Sequence, residues 1–407
     1  MKKTTIVAIV AISSQFAVAQ KSLPVPANYN DSRAITTGVP FLQIAADARS
    51  AGMGDMGVGT STDIYSQQHN PAKYAFATQQ QGFAVSYTPY MTSITNDVSL
   101  GQLNYFNKIN DRSAFAVSLR YFGMGDIELR QNYNDVPVTR SPNEFAIDGS
   151  YSLKLNERFS MAVAGRFINS NLKVPEDMGG GDASSASTFA VDIAGFYESE
   201  QMAFNSYDGR WRAGFNFQNL GPKIKYDDNA DNASFLPANL KLGGGFDFIL
   251  DAHNTVSVYG EVNKLLVPTP QIPDFLDLDG DGNLSETEKN AATTKARSDY
   301  NNIGWAQGIF KSFGDAPGGM SEEMKEFTWA LGAEYWYDDA FAFRVGYFNE
   351  NELKGARKYA TLGAGFKYNT ITVDLSYLFS TSKINNPLEN TLRFSLAFNF
   401  GGSSTRS

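Results

Sequence analysis

The sequence predicts an all-β protein, a 14-stranded antiparallel transmembrane β-barrel with an N-terminal plug inside the lumen. Three observations carry that prediction. From residue 82 onward, apolar and polar residues alternate in segments of roughly ten residues, the length of a tilted strand crossing an outer membrane. Connections between these segments alternate between short and long, as periplasmic turns and external loops do. Charged side chains within the segments keep to one parity, opposite the apolar set.

Composition agrees. A chain of 407 residues has room for two or three soluble domains or for one large barrel. Charged residues are only 19%, aromatics reach 13% with 30 Phe and 20 Tyr, and 36 Gly suit many short strands with tight turns and aromatic girdles. There is no cysteine, which excludes disulfides, thiolate metal sites and cysteine nucleophiles. A net charge of -9 argues against nucleic acid bound through its phosphates.

In chain order, residues 1–19 read as a signal peptide: Lys2 and Lys3 start it, an apolar run follows, and Ala17-Val18-Ala19 offers small residues at the cleavage site. The apolar run is too short for a spanning helix, which needs about 20 residues. Residues 20–81 form the predicted plug, with residues 39–76 as its centre. Gly38, Gly52, Gly54, Gly57 and Gly59, together with Asp47, Asp55 and Asn70-Pro71, forbid a regular strand there. If the rest closes, the interior is the place left for this segment.

The barrel is expected over residues 82–400, leaving a tail at 401–407. Its strands are 82–90, 98–106, 113–121, 144–155, 159–168, 187–199, 211–220, 240–249, 254–263, 328–337, 340–349, 359–368, 371–379 and 391–400. In the last, Leu392, Phe394, Leu396, Phe398 and Phe400 alternate with Thr391, Arg393, Ser395, Ala397 and Asn399. Short connections fall at 156–158, 338–339 and 369–370, and long ones at 122–143, 169–186 and 264–327, so both termini belong to the periplasmic side. The connection 200–210 is long for its class.

Arg120, Asp148, Arg166, Asp192, Arg212, Asp247, Glu261, Glu334, Arg344, Lys367, Asp374 and Arg393 all oppose the apolar parity. A lipid-facing Arg at mid-bilayer costs roughly 2 to 4 kcal/mol, so these point into a polar interior. Mixed signs suggest salt bridges holding the plug more than a pore lined with one charge. A β-sandwich also alternates, but would leave these aromatic faces exposed to water.

Three motifs invite chemistry. Gly52-Met53-Gly54-Asp55-Met56-Gly57 fits the dinucleotide-binding string, yet no βαβ unit surrounds it, and a flexible plug turn explains the glycines. Residues 277–288 satisfy an EF-hand loop: Asp277, Asp279 and Asp281 at positions 1, 3 and 5, Gly282 at 6, Asn283 at 7, Ser285 at 9 and Glu288 at 12. The expected metal is Ca2+, with residues 286–298 as the following helix; an acidic turn without metal is the alternative, since prolines crowd the preceding helix. His69 and His253 lack a convincing Ser and Asp partner in sequence, and no nucleophile elbow occurs, so no catalytic residue is expected.

Residues 34–42, then Ala46-Asp47-Ala48-Arg49, Gly52-Met53-Gly54-Asp55 and Asn70-Pro71-Ala72-Lys73-Tyr74, make the chain resemble the PorV family of outer-membrane proteins from the Bacteroidetes type IX secretion system. The whole mature chain is more broadly similar to FadL-like outer-membrane transporters. The first resemblance implies a non-enzymatic role in protein secretion: binding secreted cargo by its C-terminal signal domain at the translocon barrel and delivering it to a PorU-type attachment protein. The second implies transport of a hydrophobic small molecule. Either implies an outer membrane of a Gram-negative bacterium, with outer-membrane lipid around the barrel and no nucleic-acid partner.

Overall fold

The computed structural model describes residues 33–92, 95–130, 136–172, 185–226, 233–382 and 391–401; the predicted signal peptide lies outside them. The chain falls into two compact units, one being Ser32–Gln271 with Tyr300–Ser407, and the described part of the other Ile272–Asp299.

The larger unit is a closed antiparallel ring. Its strands are β1 (Gln81–Pro89), β2 (Val98–Asn110), β3 (Ser113–Met124), β4 (Asn143–Lys154), β5 (Phe159–Asn171), β6 (Ala186–Glu198) and β7 (Asp208–Leu220). They continue as β8 (Asn239–Ile249), β9 (Asn254–Leu265), β10 (Phe327–Tyr337), β11 (Phe341–Asn349), β12 (Lys358–Tyr368), β13 (Ile371–Ser380) and β14 (Leu392–Phe400). Each pairs with its sequence neighbours, β7 pairs with β8, and β14 pairs back to β1 with Phe400 opposite Gln81. No edge is left, so backbone donors and acceptors are satisfied within the wall, as a hydrocarbon surrounding requires.

Period-two patterning sets which side faces out. On β3, Phe115, Val117, Leu119 and Tyr121 are exposed while Ala114, Ala116, Ser118 and Arg120 are buried. The charged parity read from the sequence is inward, with one difference: Lys367 is half-exposed near the end of β12 and joins no interior ion pair among the described residues. Its place two residues before the turn at Asn369 lets its ammonium reach water.

All connections at one end are short: 111–112, 155–158, 199–207, 250–253, 338–340 and 369–370. The awkward 200–210 connection is shortened because β7 starts at Asp208, and Met202–Ala203 pair back onto its first residues. Between β10 and β11, Asp338 and Asp339 both have φ of 52°, the left-handed pair of a type I′ hairpin turn. The opposite end carries the long connections, of which 266–326 is the longest.

Residues 33–80 do not extend into strands. Asp47 caps the short helix α1 (Ala48–Ala51) by accepting from Ser50 N at 2.8 Å, and Asn70 caps the 3-10 turn Pro71–Phe76 by accepting from Ala72 N at 3.1 Å. Between them lies α2 (Ser66–His69). Phe41, Leu42, Met53, Met56 and Tyr74 of this segment are buried against inward side chains of the ring.

Candidate functional site

The barrel interior is organised by how it grips residues 39–76. Arg49 donates to Glu334 of β10 through Nε (3.0 Å) and Nη2 (2.7 Å). Arg344 of β11 reaches the same carboxylate through Nε (2.8 Å) and Asp374 of β13 through Nη1 (2.7 Å). Arg393 of β14 and the Tyr359 hydroxyl of β12 (2.6 Å) both donate to Asp55. Glu261 of β9 accepts the backbone N–H groups of Gly57 and Val58, each at 2.9 Å. Arg120 of β3 donates to the carbonyls of Phe41, Leu42 and Ile44, in and just after the 3-10 turn Pro40–Gln43. A second group ties the wall to itself: Arg166 binds Asp148 (2.6 Å) and Asp192 (3.0 Å), and Arg212 binds Glu198 (2.7 Å) and Asp247. Much of the interior charge is thus absorbed in pairs of opposite sign, while Arg120 and Glu261 are satisfied by backbone groups of the segment. Removing one partner of such a buried pair costs about 3–5 kcal/mol, so the segment is held as a rigid part of the barrel.

The glycines serve this grip differently from the flexible turn expected. Only Gly54, at φ 77°, uses a conformation that other residues resist. Gly52 and Gly59 mark places where two backbones touch: a Cβ on Gly59 would stand 2.6 Å from Gly243 C of β8, and one on Gly52 would stand 3.0 Å from Gly363 Cα of β12, whereas at Gly38 and Gly57 it would meet the side chains of Ile224 and His69. Sequence reading missed this because the strand glycines that complete each contact are distant in the chain.

Sequence reading also missed a polar cluster. His69 Nε2 lies 3.0 Å from Asp47 Oδ2, and the Ser50 hydroxyl donates to that same oxygen at 2.6 Å. The carboxylate stands between hydroxyl and imidazole, so the imidazole has no hydrogen bond through which to take the serine proton. His253 is exposed at a turn, 3.1 Å from Asp338 Oδ1.

Above the segment, toward the long-loop end of the barrel, lies a cavity of about 630 Å³. Phe41, Ile44, Tyr90, Val98, Phe122 and Phe348 give it apolar walls. Of its cations, Lys354 is paired with Glu322 (2.7 Å) and Glu326 (2.9 Å), and Arg357 with Glu350 (2.8 Å). Lys241 of β8, only 8% exposed, has no hydrogen-bond partner among the described residues.

In the smaller unit, Asp277, Asp279 and Asp281 offer oxygens within 4.8 Å of one another. Positive φ at Gly280 (77°) and Gly282 (82°) curls the backbone so that both glycine N–H groups donate to Asp277, at 2.6 and 2.9 Å. Glu288, the twelfth position, begins outside this cluster: it accepts from Leu278 N (2.6 Å), Ser285 N (2.8 Å) and Ser285 Oγ (2.8 Å), bonds that hold its carboxyl below its ordinary range. Asn283 N donates to Asp281 at 2.6 Å. The structure therefore brings together three of the six expected ligands, all hard oxygen donors of the kind Ca2+ takes, with Glu288 at the first turn of helix α3 (Glu286–Asn301).

The family model described as type IX secretion system protein PorV matches residues 27–272. No curated protein sequence matches the chain. Among solved structures, the Pseudomonas putida toluene transporter TodX is similar over 90% of this chain and 99% of its own, at 12% identity and a TM-score of 0.50. The Ralstonia pickettii toluene transporter TbuX is similar over 89% of this chain and 100% of its own, at 11% identity and a TM-score of 0.47. A Pseudomonas aeruginosa FadL homologue covers 94% of this chain and 99% of its own, at 14% identity and a TM-score of 0.39. The likeness to TodX supports the fold and nothing finer.

Proposed function

This chain belongs to the PorV family of type IX secretion system proteins and is an outer-membrane β-barrel, and from that premise we propose that it acts in secretion without catalysis. It binds secreted cargo through the cargo's C-terminal signal domain at the translocon barrel and hands it to a PorU-type attachment protein. The observation that supports this best is the filled interior. Residues 39–76 are bonded to side chains from strands around the ring, so the barrel behaves as a scaffold for its long loops more than as a conduit. A deletion strain tests it: exported proteins that share a C-terminal signal domain should fail to reach the surface together, and a tagged copy should bring down a very large barrel. Normal export of those proteins in the deletion strain would refute the reading.

Lys241 favours a second reading. An unpaired ammonium on the wall of an apolar cavity suits a hydrophobic small molecule carrying an anionic group, as a FadL-like transporter would require. The purified protein should then yield such a molecule on solvent extraction, and Lys241→Met should lower its recovery.

For residues 277–288 we propose Ca2+ as the ligand, held by Asp277, Asp279, Asp281 and the Asn283 carbonyl, with Ser285 at the ninth position and Glu288 turning in from its backbone bonds. When bound, the ion would supply charge neutralisation and order to this loop. Calorimetry on the purified protein should show binding that Asp277→Ala with Glu288→Ala abolishes; unchanged binding rejects these ligands.

A further inference from the structure

One lysine sits on the wrong parity. On β9, Val262 lies opposite Leu242 of β8 and Trp329 of β10, and all three are exposed on the outer wall. Lys264, two residues on, shares that outward parity by register, opposite Leu240 and Phe327. Yet it is only 1% exposed. Its Nζ pairs with Glu323 and Glu326, each at 2.8 Å, and lies 6.0 Å from the Phe313 ring centroid and 5.2 Å from that of Phe327.

An outward side chain is buried only if something covers it from outside. The cover here is residues 313–326, which straddle the rim of β9 and β10: the Glu326 carboxylate meets Lys264 and also, at 2.9 Å, the cavity-lining Lys354, so the segment arches from the mouth of the cavity over the strand ends. What that cover shows to its surroundings is apolar. In helix α5 (Met320–Glu323) and the 3-10 turn after it (Met324–Glu326), Glu322, Glu323 and Glu326 turn inward, which leaves Met320 and Met324, four residues apart, on the other face. Met320 is 74% exposed, Met324 61% and Phe310, on helix α4 (Trp305–Lys311), 81%. Lys311 and Lys325 border them.

We propose that this face, Phe310, Phe313, Met320 and Met324, is an interfacial anchor that lies in the headgroup region of the outer leaflet. Its occupant is lipid, by continuity: the chain runs from Met324 through Phe327 into Trp329 and Leu331, which already belong to the outer wall. Bulky apolar side chains beside lysines are the chemistry of a membrane–water boundary, where the ammonium groups meet anionic headgroups.

The absence of cysteine makes the test direct. Phe310→Cys and Met324→Cys are each labelled with an environment-sensitive fluorophore. The full chain is then reconstituted into vesicles of phosphatidylcholine and phosphatidylglycerol, with and without brominated acyl chains. Leu331→Cys serves as the lipid-facing control and Asn156→Cys, at a short turn, as the aqueous one. The anchor is supported if both loop labels emit at shorter wavelength than the Asn156 control and lose intensity in brominated vesicles, by a smaller factor than the Leu331 control. Quenching by aqueous iodide with no response to bromine overturns it. So does a label that is open in these vesicles but shielded in native membranes, which assigns the face to a protein.

Discussion

Replacing Gly59 by alanine tests whether the interior segment is seated by backbone contact. The new methyl carbon would stand 2.6 Å from both Gly243 C and Gly244 N, where ordinary contact begins at 3.4 Å, and both obstacles are main chain that cannot rotate away. Residues 57–60 must retreat by roughly 1 Å, and overpacking of this kind costs about 1–3 kcal/mol. The retreat also lengthens the two 2.9 Å bonds from Gly57 and Val58 to Glu261, charge-assisted bonds worth about 1.5–3 kcal/mol each when lost outright. A combined loss of about 2–4 kcal/mol multiplies the population of the released segment by roughly 30 to 1,000. Trypsin reads this directly, because Arg49 and Lys73 are buried and become cleavable only on release. Cleavage at those two residues in detergent-folded protein should accelerate by that factor while the barrel keeps its folded electrophoretic mobility. Gly165→Ala is the matched control, since nothing lies within 4 Å of a methyl added there. Equal cleavage rates in the two variants would refute the seating argument.

Two further outcomes follow from the ion pairs. Glu334→Gln leaves Arg49 and Arg344 buried against a neutral amide and should cost about 3–5 kcal/mol, read as a lower urea midpoint for unfolding in detergent. At the loop rim, hydrogen bonds from Arg33 chiefly, and from Lys354, overcome burial and hold the Glu322 carboxyl down at about 2, below its ordinary 4.5. A folded value below the unfolded one stabilises the pairing above pH 4.5 and forfeits it as pH falls toward 2. Hydrogen exchange of residues 320–326 should therefore lose protection across that window, and Glu322→Gln should flatten the profile.

Much of the barrel was legible because a lipid-facing wall imposes a period-two code that few other folds sustain over so many segments. Strand ends were read to within a few residues wherever a turn residue such as Asn369 or Asp338 marked them. Contacts between distant segments were not legible. Nothing in the spacing of Gly59 names Gly243 as its seat, and Asp47, Ser50 and His69 meet only because α1 and α2 pack together. Lys264 broke the parity rule, and the side chains that neutralise it come from the far end of a loop with no period of its own. The Asp277 loop shows the reverse: its pattern is complete in sequence, while the side chain of Glu288 adopts local backbone bonds that no spacing rule specifies.

The junction of first and last strands fixes an order of events. Residue 80 leaves the interior beside that junction, where Gln80 N donates to Phe400 O at 3.0 Å, and residues 81–87 run against 394–400. The part of the chain made first is therefore enclosed by the part made last. Its clasps come from strands on both sides of that junction, Arg120 of β3 and Arg393 of β14 among them, so the full set is made only once the first and last strands have met. The seam that closes the wall is thus also the place where the grip on the core is completed.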